Sequence, residues 1–235
     1  ASKYRYSNAY TAALTGITDL FKKQKDPVVI GPEDSVIGKT ILITGASSGL
    51  GFEAAVQLAR RGGHILMACR SGIPEKGEQV RKQSGSQQVE MYPVDLADLD
   101  SVVKLVDALQ KKGVKIDILI DNAAVVPGGS RKTPQGLEEM FVVNYLSKFL
   151  LIRLLLERSM FNTVSNDVPR IIYVSSESHR NPKAFDWDHF GEYKDYSMGK
   201  TVALYGYYKL LMTTMANALS RRLNEEGKLN YSVFA

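Results

Sequence analysis

A glycine-rich segment near the start of the chain has the residue types that bind phosphate. Gly45, Gly49 and Gly51 follow a short apolar run, and a helical pattern begins directly after them. Glycines allow a tight turn and a close approach of the backbone, while free N–H groups and the helix dipole attract a pyrophosphate. We therefore expect a dinucleotide site in the segment that contains Gly45, Ser47, Ser48, Gly49, Leu50 and Gly51. The alternative is a glycine turn that holds no ligand.

Arg70 ends the second apolar run, at the place where dinucleotide-binding folds carry a residue that contacts the ribose. An acid at this place binds a ribose 2′-hydroxyl, whereas a cation accepts a 2′-phosphate. This run ends without an acid, and an arginine can pair bidentately with a phosphate, so Arg70 favours NADP(H) over NAD(H). The alternative is a surface arginine that caps the strand. Cys69, just before it, is expected to be a small core residue rather than a nucleophile.

The elements that must position these residues follow a regular rhythm. Between Lys39 and Ala235, short apolar runs alternate with longer segments of helical period, as in βαβ units around a parallel sheet that is buried on both faces. A helix is predicted from about Leu99 to Lys112, with Gly113 as its end, and two longer helices over 134–158 and 201–226. Strands are predicted at Thr40–Thr44, His64–Cys69, Gln88–Val94, Ile116–Asp121, Arg170–Ser175 and Asn230–Phe234.

Two regions fall outside this rhythm. Residues 1–39 form an N-terminal arm, in which the pattern indicates an amphipathic helix with an apolar stripe that ends in Lys22, Lys23 and Lys25. The alternatives are an arm packed on its own domain and, as we predict for residues 1–25, an arm that docks to a membrane surface or a partner. Residues 177–200 form a long excursion after the fifth strand, where loops usually shape a binding site.

Composition excludes several classes of protein. The chain has 235 residues, of which 44% are hydrophobic and 23% are charged, so a disordered, collagenous or coiled-coil chain is excluded. Its net charge of +5 comes from interspersed acidic and basic residues, so nucleic-acid binding is not expected. A single cysteine and three scattered histidines predict a reducing compartment, organellar or cytoplasmic, and a site without metal. No apolar stretch approaches the ~20 residues of a membrane-spanning helix.

Further motifs appear in a fixed order along the chain. Thr44 to Gly51 has the form TGxxxGxG, Asp95 and Leu96 follow the third strand, and Asn122, Ala123 and Ala124 follow the fourth. With these motifs and a later set of polar residues, Asn144, Ser176, Tyr205 and Lys209, the sequence resembles the short-chain dehydrogenase/reductase family from about Lys39 onward. More narrowly, it resembles the branch of the retinol dehydrogenases and the WW-domain-containing oxidoreductase. Asp121 and Ala124 stand where many members carry asparagine and glycine.

The resemblance implies a fold, a cofactor and a mechanism. The fold would be a Rossmann-type doubly wound α/β sheet over residues 40–235 with strand order 3-2-1-4-5-6, and the cofactor NADP(H). Asp95 and Leu96 would frame the adenine, and Asn122, Ala123, Tyr205 and Lys209 would also contact the cofactor. Tyr205 would be the acid/base, Lys209 and the oxidised nicotinamide would stabilise its phenolate, Ser176 would bind the substrate oxygen, and Asn144 would hold a water that links Lys209 to solvent.

A second tyrosine and lysine pair has the same spacing. Tyr196 and Lys200 are separated like Tyr205 and Lys209, so the pattern alone does not separate the two pairs. A continuous helical pattern from Lys209 to Gly227 predicts that Tyr205 and Lys209 lie in the first turns of a helix. Ser197 and Gly199 indicate a loop, so Tyr196 is expected there, at the substrate mouth.

The resemblance also implies chain beyond Ala235. Members of the family continue with a Pro-Gly motif, a substrate loop and a seventh strand, so the domain is expected to be incomplete at its C terminus. The predicted function is hydride transfer between nicotinamide and a carbonyl or alcohol of a small hydrophobic, retinoid-, steroid- or lipid-like substrate. The alternative is a cofactor-binding, weakly active or inactive structural subunit of a larger, membrane-associated assembly. Homodimerisation through the helices 134–158 and 201–226 is implied as well.

Overall fold

The computed structural model of the chain describes residues 31, 34–164, 167–180, 182, 187–225 and 228–235. The segment 1–25, for which docking was predicted, lies outside the described residues, and that interpretation stays a prediction. The last residues before the first strand pack on the domain, because Val36 joins a core cluster and its N–H donates to the carbonyl of Arg61 at 3.2 Å.

Six parallel strands form a single sheet in the order β3-β2-β1-β4-β5-β6, which confirms the predicted Rossmann-type topology. The register pairs Thr44 with Ala68 on one side and with Asp121 on the other, and Asp121 with Tyr173. Because all strands run the same way, these residues reach one edge of the sheet together. The strands are β1 (Thr40–Thr44), β2 (His64–Cys69), β3 (Val89–Pro93), β4 (Ile118–Asp121), β5 (Arg170–Tyr173) and β6 (Ser232–Phe234).

Helices cover both faces of the sheet and bury the strands between them. One face packs on α1 (Gly49–Arg60) and α2 (Glu75–Ser84), around Ile41, Ile43 and Met67. The other face packs on α3 (Leu99–Lys111), on α5 (Ser147–Glu157) and on α6 (Met198–Leu223). Each strand of the centre is therefore apolar on both sides, which is why the sequence shows continuous rather than alternating apolar runs.

The predicted strand ends agree with the structure at β1 and β2. Each of the other four strands is two residues shorter than predicted. α3 begins at Leu99 as predicted and ends before Gly113, whose φ of 68° is the left-handed conformation that closes a helix. The carboxylate of Asp98 accepts the N–H of Asp100 and caps its first turn.

The prediction of a helix over 134–158 was wrong at its start. Gly136 adopts a φ of 79° in a turn closed by the N–H of Thr133, which donates to the carbonyl of Leu137 at 2.8 Å. The helix begins only after Glu138, whose carboxylate accepts the N–H groups of Met140 and Phe141. It continues as α4 (Glu139–Phe141), a π-helical turn over Val142–Leu146, and α5.

α6 also differs from its predicted bounds, because it spans Met198–Leu223 rather than 201–226. Ser197 precedes it with extended dihedral angles, as expected for a residue at a helix start, whereas Gly199 lies inside the helix and not in a loop. Among the described residues, no helix is long and apolar enough to cross a membrane.

Candidate active site

The glycine segment forms the turn between β1 and α1, and two of its glycines have no room for a side chain. Gly45 has a φ of 67°, and a Cβ there would lie 2.9 Å from Cα of Ala123. A Cβ on Gly51 would lie 2.5 Å from both the Asn122 Nδ2 and the Gly45 carbonyl oxygen. The Asn122 amide donates to the carbonyls of Thr44 at 3.1 Å and of Gly45 at 3.2 Å. This packing holds the loop against the end of β4, with the N terminus of α1 behind it.

A cleft of about 450 Å³ opens at this edge of the sheet. Five predicted cofactor contacts are not part of its wall: Gly49, Leu50 and Gly51, which are the first residues of α1, and Tyr205 and Lys209 on α6. Leu50 instead points into solvent, with 66% of its surface exposed. Eight residues predicted to contact a cofactor line the cleft, namely Gly45, Ser47, Ser48, Arg70, Asp95, Leu96, Asn122 and Ala123.

Arg70 lies at the rim of this cleft, directly after β2, and is exposed to solvent. Its neighbour Cys69 is 1% exposed, and burial raises the pKa of its thiol, so it is the core residue that was predicted. Ser71 and Ser47 line the same cleft. The wall therefore includes one cation and two hydroxyls, residue types that bind a phosphate group.

Asp95 and Leu96 form the third wall, in the turn between β3 and α3. The Asp95 carboxylate accepts the N–H of Ala97 at 2.9 Å, and its own N–H donates to the hydroxyl of Ser101 at 2.9 Å. Leu96 is 7% exposed and packs on the core. The turn is therefore fixed before any ligand arrives.

Tyr205, Lys209 and Ser176 meet beside the cleft, at the ends of β4 and β5. Lys209 is buried, with 1% of its surface exposed. Its ammonium donates to the Val174 carbonyl at 2.6 Å and lies 5.6 Å from the centre of the Tyr205 ring. The Ser176 hydroxyl forms a hydrogen bond with the Tyr205 side chain and accepts one from Ser178 Oγ at 2.9 Å. Tyr205 lies about two turns after the start of α6.

The electrostatics of this group differ from the expected lowering of the Tyr205 pKa. Burial raises the pKa of Tyr205 above its usual value, and the Ser176 hydrogen bond acts in the opposite direction. Burial lowers the pKa of Lys209 to about 8, helped by the positive charge of Lys148 and opposed by Asp121. Lys209 can therefore hold or release a proton close to neutral pH.

Asn144 lies in the π-helical turn and is completely buried. Its Oδ1 accepts the N–H of Val125 at 2.9 Å, and its Nδ2 donates to the Val125 carbonyl at 2.8 Å. The side chain thus fixes the loop that follows β4, in the manner of a satisfied polar residue in a helix. The water that the resemblance places at Asn144 stays a prediction.

The competing tyrosine has a different environment. Tyr196 lies before α6 in a loop, as predicted, and its hydroxyl donates to Oε1 of Glu138 at 2.8 Å. Burial, and after it that hydrogen bond, raise its pKa well above the usual value. The loop is further held by Asp195, which accepts hydrogen bonds from Ser130 and Tyr193, and by Phe190, which packs on Phe141. Tyr196 is therefore an anchor of the 177–200 excursion.

Sequence reasoning missed two features of the site. Gly206, next to Tyr205, lets the backbone of Ser178 approach α6, since a Cβ there would lie 2.5 Å from the Ser178 carbonyl oxygen. A glycine inside a helix beside the predicted acid/base was the available signal. Lys148 is fully buried and binds Asp121 at 2.7 Å. No cluster of metal-ligating side chains occurs among the residues that the structure describes.

A glycine loop, a cleft at the carboxyl edge of a parallel sheet and a tyrosine with a lysine beside it define a nucleotide-binding α/β protein with acid/base groups at the cleft. The sequence profile of the short chain dehydrogenase family matches residues 39–187. The chain therefore belongs to this family of oxidoreductases, as its motifs indicated.

Curated relatives place the chain near the branch that was predicted. It is 35% identical over 205 residues to the WW domain-containing oxidoreductase of Gallus gallus, which covers 83% of this chain and 48% of that protein. It is 36% identical over 200 residues to Retinol dehydrogenase 11 of Homo sapiens, which covers 83% of this chain and 60% of that protein. The chain spans about half to three fifths of the length of these relatives.

Solved structures share the fold. A crystal structure of a protein from Mycobacterium Paratuberculosis has a TM-score of 0.67 at 33% identity, over 84% of this chain and 66% of that chain. The Pseudomonas aeruginosa RhlG/NADP active-site complex has a TM-score of 0.64 at 22% identity, over 87% and 73%. The 3-ketoacyl-(acyl-carrier-protein) reductase of Brucella melitensis, complexed with NADH, has a TM-score of 0.63 at 24% identity, over 85% and 74%. The fold alone accordingly accommodates either cofactor.

The close contact at Gly206 leads to a test that does not depend on activity. Gly206→Ala should lower the free energy of unfolding by about 1–3 kcal/mol, because a methyl group must displace the Ser178 backbone. Gly199→Ala in the same helix meets open space and should stabilise by up to about 1 kcal/mol. Urea unfolding of both variants measures the difference. Equal effects of the two substitutions would contradict the close packing of Ser178 on α6.

Proposed function

We propose that the protein is an NADP(H)-dependent oxidoreductase that transfers a hydride between nicotinamide and the carbonyl or alcohol carbon of a small hydrophobic substrate. The observation that carries the proposal is the meeting of Tyr205, Lys209 and Ser176 at the ends of β4 and β5. The segment that follows β4, from Asn122 to Val125, lines the cleft. The names of the relatives, an oxidoreductase and a retinol dehydrogenase, support a retinoid-, steroid- or lipid-like substrate.

The residues of the cleft fit a dinucleotide. A Cβ would collide with Ala123 at Gly45 and with Asn122 at Gly51, so these two glycines let the segment pack against the end of β4. Gly45, Ser47 and Ser48 then line the cleft just before the N terminus of α1, which attracts a phosphate. The segment Gly45 to Gly51 would hold the pyrophosphate, Arg70 the 2′-phosphate, and Asp95 and Leu96 the adenosine. When bound, the cofactor supplies or accepts the hydride at the nicotinamide ring.

The protein's own side chains would supply the proton that the carbonyl oxygen of the substrate gains. Since burial raises the pKa of Tyr205, its hydroxyl keeps its proton near neutral pH and can donate it to a carbonyl oxygen. Ser176 would donate a hydrogen bond to the same oxygen. Lys209, with a pKa of about 8, would return a proton to Tyr205 or accept one from it in the opposite direction.

We also propose that the protein forms a homodimer through α5 and α6. A groove of about 350 Å³ between these helices is lined by apolar side chains that include Phe149, Ile152, Met215 and Leu219. Phe149 is 40% exposed and adds apolar surface to this groove, and a contiguous apolar surface of this kind is typical of a protein interface. Sedimentation velocity of the native protein distinguishes a dimer from a monomer.

Cofactor choice is tested at Arg70. Arg70→Ala should weaken NADPH binding by about 1.5–3 kcal/mol and leave NADH binding almost unchanged, because only NADPH carries the phosphate that the guanidinium would bind. Titration calorimetry with both cofactors gives the two dissociation constants. Lys82→Ala, which removes an equal charge from an exposed position on α2, is the control and should spare both cofactors. Equal losses for NADPH and NADH in Arg70→Ala would refute the assignment.

The catalytic assignment is tested by comparing the two tyrosines. Tyr205→Phe should reduce turnover of carbonyl substrates at least about 100-fold while NADPH still binds, because the variant has no proton to donate. Tyr196→Phe loses only a hydrogen bond to Glu138 and should keep at least about a tenth of the turnover, measured at a temperature where it is folded. NADPH oxidation with a panel of retinoid and steroid carbonyls is the assay. The opposite ranking would contradict the proposal, and bound NADPH with no turnover in the unsubstituted native protein would favour a structural subunit.

A further inference from the structure

Two buried lysines bind the ends of neighbouring strands next to Tyr205. The ammonium of Lys148 donates to the Asp121 carbonyl at 3.3 Å, at the end of β4. The ammonium of Lys209 donates to the Val174 carbonyl at 2.6 Å, just after β5. A single backbone hydrogen bond joins the two sites, since the Val174 N–H donates to the Asp121 carbonyl at 3.2 Å. The two positive charges therefore lie close together in the interior.

The carboxylate of Asp121 neutralises one of these charges. Its Oδ1 lies 2.7 Å from the Lys148 ammonium and also accepts the Thr44 hydroxyl at 2.7 Å. The side chains of the pair are 1% and 0% exposed, so water screens their charges very little. The second oxygen, Oδ2, has no hydrogen-bond partner among the described residues.

Stability alone does not account for such a pair. A buried ion pair that is not fully hydrogen-bonded gains little over apolar side chains of similar volume, because both charges lose their hydration. Unlike apolar side chains, however, an ion pair changes the pKa of a charged group beside it. Lys209 is the charged group beside this pair.

We propose that Asp121 and Lys148 are positioning residues for the proton transfer at Tyr205, and that they act as a buried charge pair on the ammonium of Lys209. The role of Tyr205 in this statement rests on the proposed function, whereas the action on Lys209 does not. Lys148 repels the ammonium and Asp121 attracts it, so each residue shifts the balance between charged and neutral Lys209 in its own direction.

Other titratable groups surround Lys209. Tyr205 lies on the same helix, and the fully buried Tyr173 lies on β5. Glu177, His179 and Arg180 lie in the turn that packs on α6, and the first and last of these form an ion pair at 3.3 Å. The pKa of Tyr173 is raised by burial and by the charge of Asp121, so this phenol stays neutral. Asp121 and Lys148 are thus the fully buried charged groups near Lys209.

The proposal is tested by a charge cycle read out at Lys209 itself. The native protein is labelled with ¹³C-lysine, and the Lys209 signal is assigned by its loss in Lys209→Met. Titration by NMR then gives the pKa of Lys209 without any need for turnover. Lys148→Met should raise this pKa by about one unit, and Asp121→Asn should lower it by about one unit, because each removes one full charge of opposite sign. The double variant should lie between them.

The decisive result is the order of the Lys209 pKa values in the three variants, highest in Lys148→Met, intermediate in the double variant and lowest in Asp121→Asn. If one variant does not fold, the order of the other two still tests the proposal. A purely structural role predicts lower stability in each variant but no shift of Lys209 in opposite directions. Unchanged Lys209 titration, or shifts of the same sign in both single variants, would overturn the proposal. The pH profile of kcat is a second readout, and it should move in the same direction as the Lys209 pKa. If the Lys209 titration shifts as expected while turnover is absent, the proposed function fails and the charge pair stands.

Discussion

The carboxylate of Asp121 lies where β1, β4 and β5 end. It binds one side chain from a neighbouring strand and one from a helix that packs on the sheet. Thr44 donates to it from β1, and Lys148 donates to it from α5. The Thr44 hydroxyl in turn accepts the N–H of Ala123 at 3.1 Å, which fixes the backbone beside the glycine loop. The loop that would hold the pyrophosphate and the helix that carries Asn144 are therefore joined through one buried acid.

Close backbone contacts also hold the elements of the site together, in addition to the hydrogen bonds of Asp121. Gly45 and Gly51 bring the loop against Asn122, and Gly206 brings α6 against Ser178. Each contact requires a residue without a Cβ, so the distances between the acid/base groups and the cleft depend on glycines rather than on side-chain packing. The excursion after β5, which Tyr196 and Asp195 anchor, is held instead by exposed and half-buried polar bonds.

Much of this arrangement could be predicted from the sequence. The bounds of β1 and β2 followed from continuous apolar runs, and Tyr205 was separated from Tyr196 by the length of the following helix. The start of the helix at Glu139 could not be predicted from periodicity, because apolar Leu137 continues the pattern through a turn that Gly136 requires. Lys148 was missed because its partner lies 27 residues away, and Gly206 because its partner Ser178 belongs to another element. The partner in such a contact has no local pattern, although a glycine inside a helical pattern, as at Gly206, indicates that another part of the chain comes close.

Transfer of an isotope from the cofactor tests the central claim most directly. NADPH in which both hydrogens at C4 of the nicotinamide are replaced by deuterium is incubated with the native protein and a retinoid or steroid carbonyl, and the product is examined by mass spectrometry. The account predicts deuterium on the carbinol carbon of the product, because the hydride passes straight from the cofactor to the carbonyl carbon. Product without deuterium, or NADPH that stays bound and unoxidised with every carbonyl offered, would contradict it.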